Sequence, residues 1–320
     1  MLTNFLFVVG GFIGILAGAR QGWKWIYNPW FRIAHLFAVL MISAEDVFRL
    51  RRVAVLLVSI AVSTSCLLAQ PNPNAISPTY ETLNAVLWAQ SSIEFESNAI
   101  QTYKAAEAAL QRALKEPHWT AALEQVGDFG TLPPAVVLDL DETVLDNSSL
   151  RAQLIRDGKA YSDQAWDTWV SQKRALAIPG AVHFLNAALL SGVAPIYITN
   201  RVCQPNDPND STVQVLVKLR IPLTSGRLLC RSAAGDASDK SPRRTLVSKT
   251  YRILLLIGDD VNDFLTVPAE MSTVAGRDQL LRVYEPLWGE KWFILPNAMY
   301  GSWERTIGFG LQQKLDALRP

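Results

Sequence analysis

The chain has 320 residues, enough for one sizeable domain with accessory segments and for a core that needs no disulfide staples. Hydrophobic residues make up 49% and charged residues 18%, an apolar excess that points to membrane-directed sequence. With 30 basic against 29 acidic residues and a formal charge of +1, no polycationic surface is available to grip a phosphate backbone, which excludes nucleic acid as an expected partner.

The apolar excess lies at the N-terminus, in residues 4–19 (NFLFVVGGFIGILAGA), 33–43 (IAHLFAVLMIS) and 53–69 (VAVLLVSIAVSTSCLLA). None reaches the roughly 18–20 residues of a comfortable membrane-spanning helix. The third follows Arg49, Arg51 and Arg52 and runs out through small residues into QPNPNAISP, the layout of a secretory signal. The basic cluster favours a cytoplasmic start for that run, which places everything after residue 70 outside the cytoplasm, periplasmic or anchored to the membrane. Met41 stands just upstream, so residues 1–40 read either as extra membrane segments or as sequence ahead of a later start. Cys66 ends VSTSC, which resembles a lipoprotein cleavage box with Ser63 where Leu is usual; the alternative is an ordinary small residue of a signal helix. The expected organisation is a hydrophobic region over 1–70, a Pro/Asn linker over 71–78 and a globular part over 79–320.

Residues 79–115 carry apolar side chains at helical spacing (Leu83, Leu87, Ala99, Tyr103, Ala106, Leu110) and predict one long helix or two shorter ones. Pro117, Gly127, Gly130, Pro133 and Pro134 end the pattern. Beyond them, strand-like runs at 135–138, 193–198, 227–229, 253–257 and 292–295 alternate with helical stretches at 180–190, 210–219 and 241–250. Continuous apolar runs in such alternation predict an α/β fold with an open parallel sheet covered on both faces, binding its ligand beyond the C-terminal strand ends. Cys203 and Cys230 would pair in an oxidising compartment if the fold brings them together.

Three of these strands run into polar clusters: DLDET at 139–143, TNR at 199–201 and GDDVND at 258–263. Asp139 and Asp141, spaced i and i+2, can approach one site, where their repulsion raises the proton affinity of one unless a cation intervenes. Hard carboxylates suit Mg²⁺, and Asp259 and Asp263 from another strand end would complete the shell. A phosphate ester polarised there could be attacked by one aspartate while the other handles the proton.

These residues carry a resemblance. DLDET at 139–143, ITNR at 198–201, DKS at 239–241 and GDDVND at 258–263 resemble, in order, the four signature motifs of the haloacid dehalogenase superfamily of phosphatases. The longer strings VVLDLDETVLDNS, AIPGAVHFL and WGEKWFILPNAMYGSWE, with the Trp166 and Trp169 pair, are similar to the class C acid phosphatases, the bacterial lipoprotein 5'-nucleotidase family. The resemblance spans residues 80–318 and leaves the first 50 residues aside. It implies a Rossmann-like sheet with Asp139 as nucleophile passing through an aspartyl-phosphate. Asp141 would protonate the leaving alcohol and then activate water. Mg²⁺ would rest on Asp139, the Asp141 backbone carbonyl and Asp259, with Asp263 holding nearby waters or ligands. Thr199 and Asn200 match the phosphoryl-binding motif, and Lys240 matches the neutralising base, with Lys249 as its rival.

The resemblance also makes residues 144–179 a small cap, which the N-terminal helix would join, and places Trp166 and Tyr300 where aromatics sandwich a nucleotide base; stacking explains why flat rings suit one. Packing between cap and core is the alternative for Trp166 and the favoured reading for Trp169. Glu142 reads as a loop carboxylate, and Asp146 with Asn147 as the fixer of the following turn. The implied function is an exported, Mg²⁺-dependent phosphomonoesterase of acid phosphatase or 5'-nucleotidase type, acting on a small phosphomonoester, with nucleoside monophosphates favoured. Its alternatives are a broad-specificity or sugar-phosphate phosphatase and, in another class, a non-catalytic membrane-anchored binding or storage protein. Rival chemistries lack their motifs: GDASDKS places Asp239 where a P-loop needs glycine, no G-x-S-x-G occurs, and His35, His118 and His183 are scattered.

Overall fold

The computed structural model describes residues 80–232 and 238–319. The signal, lipid-anchor and linker expectations for residues 1–78 lie outside them. No helix among the described residues is long and apolar enough to cross a membrane.

The first helical stretch forms two helices, α1 (Leu83–Ser91) and α2 (Ile93–Ala113). Ser92 separates them because its extended backbone leaves the helix while its hydroxyl accepts the N–H of Phe95 at 3.1 Å, capping α2. Next come β1 (Pro134–Leu138), β2 (Leu145–Asp146), α3 (Ser148–Arg156), α4 (Asp163–Gln172), β3 (Leu176–Ala177) and α5 (Ala181–Leu190). The chain continues through β4 (Ala194–Val202), α6 (Ser211–Lys218), β5 (Leu228–Arg231), α7 (Ser241–Ser248), β6 (Arg252–Gly258), α8 (Val274–Val283) and β7 (Trp292–Ile294), and closes with α9 (Ser302–Ile307) and α10 (Leu311–Asp316).

The main sheet has the order β5-β4-β1-β6-β7 with every neighbouring pair parallel. Parallel pairing sends all five C-terminal ends to one edge, and β1 occupies the centre of it. The apolar run of β1 serves two faces, since alternate side chains point opposite ways. Val136 and Leu138 pack with Leu110, Phe184 and Leu185, while Ala135 and Val137 pack with Val247, Phe264 and Leu280. The strand is therefore apolar throughout, and its first polar side chain, Asp139, appears only where the sheet ends.

Between β1 and α5 the chain makes a small accessory layer. β2 and β3 pair antiparallel, and the two helices α3 and α4 are strung between them. Helix α1 packs against α3, where Gln90 Nε2 donates to Ser148 Oγ at 3.1 Å. Helix α2 packs on α5 and fixes the loop after β1, the buried Tyr103 hydroxyl donating to the Thr143 carbonyl at 2.7 Å. Gly180 allows that approach: at its φ of 89° an added Cβ would lie 3.2 Å from Tyr103.

One strand differs from the expectation. β4 continues through Val202, so Thr199, Asn200 and Arg201 belong to the strand rather than to a loop beyond it. Its ladder with β5 is interrupted between Ile198 and Val202, and directly beyond the break Cys203 is bonded to Cys230, with the Cα atoms 5.6 Å apart. The crosslink spans 27 positions of sequence. By the chain-entropy argument, closing a loop of that length contributes about 3–4 kcal/mol.

Candidate active site

Asp139 is the residue after β1, and its backbone N–H still donates to the Ile257 carbonyl of β6 at 3.0 Å. The side chain is thus carried on the rigid end of the central strand and is only 8% exposed. Lys240, immediately before α7, is 5% exposed and places its Nζ between two carboxylates. It donates to Asp139 Oδ1 and, at 2.6 Å, to Asp263 Oδ1. Lys249, the rival base, stands at the far end of α7, and Lys240 is the lysine the fold delivers.

Asp139, Asp259 and Asp263 each present a carboxylate oxygen to one spot, all three within 4.8 Å of one another. Three carboxylates against one ammonium leave two negative charges uncompensated in a buried setting, which costs free energy unless protons or a cation arrive. Burial pushes the Asp139 carboxyl up to about 7, opposed by Lys240 and reinforced by Asp263 and Asp141. Burial likewise raises Asp259 well above the ordinary range, with Asp263, Asp139 and Glu142 adding to it. The Lys240 ammonium is raised, because Asp139 and Asp263 outweigh the burial that would lower it. An all-oxygen donor set with a surplus of two negative charges fits a hard divalent cation.

Asp263 is the most constrained of the three. Besides Lys240, it accepts the backbone N–H groups of Asp259 at 3.1 Å and Asp260 at 3.0 Å. That approach requires Gly258 at the end of β6, since a Cβ there would lie 2.2 Å from Asp263 Oδ2. Asp259 is oriented from both sides, by Asn297 Nδ2 at 2.8 Å and Thr143 Oγ1 at 3.3 Å. Asp260 ties the same loop to the C-terminal segment, accepting from the Ser302 backbone at 2.6 Å and its hydroxyl at 2.7 Å.

Asp141 turns away from the lysine. The buried Arg201 holds both its oxygens, with Nη2 at 2.6 Å from Oδ1 and Nε at 2.9 and 3.1 Å from Oδ1 and Oδ2. Asn147 Nδ2 donates to the same carboxylate at 2.9 Å, while its own oxygen accepts Trp169 Nε1 at 2.8 Å and Arg201 Nη2 at 3.2 Å. Glu142 adopts the left-handed region, φ 57°, and its buried carboxylate accepts the Asn147 backbone N–H at 2.9 Å. Burial, with Asp141 nearby, raises its carboxyl well above the usual range. Asp146 fixes the turn as expected, accepting the Ser148 N–H at 2.8 Å.

Of the expected phosphoryl-binding pair, Asn200 is exposed in the cleft, with Nδ2 on the Ser238 carbonyl at 3.0 Å and Oδ1 accepting Arg243 Nη2 at 2.6 Å. Thr199 is fully buried, and its hydroxyl oxygen accepts the Arg201 N–H at 3.1 Å. Trp166 and Tyr300 both line the cleft, but each faces a guanidinium: Arg201 lies 5.3 Å from the Trp166 ring centre and Arg151 4.3 Å from that of Tyr300. Trp169 is buried, 2% exposed, and serves the Asn147 hub.

The cleft holding Asp139, Asp141, Lys240 and Asp259 has a volume of about 1560 Å³, far beyond what a phosphoryl group fills. Sequence reasoning missed Arg201, Asn147, Arg243, Asn297 and Arg151. Arg201 and Asn147 stood inside quoted motifs, but nothing in their spacing showed that they converge on Asp141.

The family described as HAD superfamily, subfamily IIIB (Acid phosphatase), matches residues 63–303. A solved structure of a class C acid phosphatase from Bacillus anthracis is 32% identical, with a TM-score of 0.64, covering 77% of this chain and 99% of its own. A second structure of a class C acid phosphatase from Bacillus anthracis, with tungstate bound, is 31% identical over the same shares with the same TM-score.

Proposed function

The chain belongs to the acid phosphatase subfamily of the haloacid dehalogenase superfamily and is a phosphoric monoester hydrolase, and on that premise we propose that it is an exported, Mg²⁺-dependent enzyme using Asp139 as nucleophile, with nucleoside monophosphates as favoured substrates. The observation that carries the reading is the buried clamp of Lys240 on Asp139 and Asp263, beside Asp259, at the C-terminal edge of the central strands.

Lys240 opposes the burial that favours the neutral Asp139 carboxyl, and an ionised carboxylate is what attack on phosphorus requires. The same ammonium stands ready for the negative charge of the transferring group. The ester oxygen breaks away with the electron pair of the P–O bond and takes a proton from Asp141, leaving phosphate on the Asp139 carboxylate. Asp141 then removes a proton from the water that attacks phosphorus and restores Asp139. Arg201 and Asn147 hold Asp141 for both transfers. Asp139, Asp259 and the Asp141 carbonyl would hold Mg²⁺, which when bound supplies charge neutralisation at the phosphoryl oxygens. Asp263, held by Lys240 and two backbone N–H groups, keeps that set in place. Asn200 reaches the phosphoryl oxygens from β4, and Thr199 shapes the strand beneath it. Trp166 and Tyr300 offer rings at the cleft for a base.

Phosphate release by the full chain from a panel of monoesters is expected to disappear with a chelator and return with added Mg²⁺; release that ignores the chelator would contradict the metal role. The basic cluster before residue 53 and the Cys203–Cys230 crosslink support export to an oxidising compartment. Mass spectrometry of the native protein should find a mature N-terminus near residues 66–71, whereas peptides from residues 1–40 in the mature protein would count against cleavage there.

A further inference from the structure

We propose that Arg151 is a second anion-recognition residue of the cleft, selecting phosphomonoesters that carry another phosphate group. The inference rests on the phosphatase reading of the site and adds a substrate class to it. Arg151 lies on α3, half-buried, and lines the same cleft as Asp139 and Lys240. Its guanidinium packs against the rings of Tyr300 at 4.3 Å and Tyr161 at 4.8 Å from their centres. Those contacts engage the π faces of the rings, and no N–H of Arg151 makes a hydrogen bond or ion pair with the described residues. The Glu142 and Glu304 carboxylates act on it at a distance without pairing.

Three other arginines around the site are committed to partners. Arg201 is spent on Asp141 and Asn147, Arg243 on Asn200 and the Thr199 carbonyl, and Arg277 on Ser302. Arg231 and Arg305 also line the cleft with donors unclaimed among the described residues, but of these three only Arg151 is held in place, against two rings, and its planar fork of donors matches an oxyanion bidentately. Among oxyanions a phosphate gains most, since it carries about −1.5 to −2 charge at neutral pH. The volume left beyond the reacting phosphoryl group accommodates a substrate long enough to present one. The two rings pre-orient the guanidinium, so little is lost on binding.

The test uses the full chain carrying Asp139→Asn, with Mg²⁺ present, and calorimetric affinities for a nucleoside 3',5'-bisphosphate and the matching 5'-monophosphate. The bisphosphate should bind more tightly, and adding Arg151→Gln should shrink that preference by about tenfold or more. Arg151→Lys, which keeps charge but loses the fork, should retain part of it. A role limited to propping Tyr300 would weaken both ligands together and leave the ratio alone. An unchanged ratio in Arg151→Gln, or no preference to begin with, overturns the proposal. Failure of the phosphatase reading shows separately, as absence of phosphate release from any ester by the native protein.

Discussion

Replacing Lys240 by Met is expected to destabilise the fold by about 3–5 kcal/mol and to abolish phosphate release. Lys240 is the shared partner of two buried carboxylates, and its side chain is 7% exposed against 8% and 7% for theirs. Removing it strands Asp139 and Asp263 together with Asp259 in a site that water does not reach freely. The penalty has a pH signature. Burial already lifts the Asp139 carboxyl to about 7, and loss of the lysine lifts it further. A carboxyl whose folded-state pKa exceeds its unfolded value near 3.9 favours the folded state at low pH and surrenders that preference as pH rises through the window between the two. The deficit of the Lys240→Met protein should therefore be smallest near pH 4 and grow towards pH 7 and above. Denaturant unfolding with chelator present across that range measures it; a variant as stable as the native protein, or a deficit that shrinks with rising pH, would contradict the account.

Asp139→Asn is expected to cut turnover by about 10⁴-fold or more while leaving a folded protein. The amide nearly matches the carboxylate in shape, β1 and its neighbours are untouched, and Lys240 retains Asp263 as a partner. On the proposed mechanism what disappears is the attacking oxygen, because a neutral amide at the end of β1 cannot form the acyl phosphate. Substitution of Asp141 leaves attack on phosphorus possible and is expected to do less harm with esters whose leaving group departs without a proton. Comparing the first-turnover burst of an aryl ester of low leaving-group pKa with that of an alkyl ester in the two variants separates the roles: Asp139→Asn should lose both bursts and Asp141→Asn mainly the alkyl one, while release beyond the first turnover should fall for both esters because Asp141 also activates the water. A single pattern shared by both variants would remove the division of labour between nucleophile and proton carrier.

The strand edge was legible in the sequence for a physical reason. A strand buried on both faces has no use for carboxylates, so the switch from Val136–Leu138 to Asp139 marks where the sheet stops and the site begins. The same logic exposed Asp259 after β6. Parallel order then brings these ends together without any further information in the motif itself. What stayed hidden depends on convergence between distant segments. Arg201 is 60 positions from Asp141, and only the extension of β4 beyond Ile198 carries it there. The pairing of Cys203 with Cys230 likewise needed the geometry of β4 against β5. Asn147, read as a turn residue, is that and also the hub linking Asp141, Arg201 and Trp169, a role invisible in local spacing. Tyr300 illustrates the opposite case: its motif marked it for a ring partner, and the structure sets a guanidinium against it.

The most direct test of the central claim is to mix the protein with a phosphomonoester and Mg²⁺, quench in acid within one turnover, and map phosphate on the digested chain by mass spectrometry. Acid preserves an acyl phosphate long enough to locate it. The account predicts a phosphoryl group on the peptide containing Asp139, released by mild alkali and absent from Asp139→Asn. Turnover with a phosphoryl group on a different residue, or the same adduct persisting in Asp139→Asn, would contradict it.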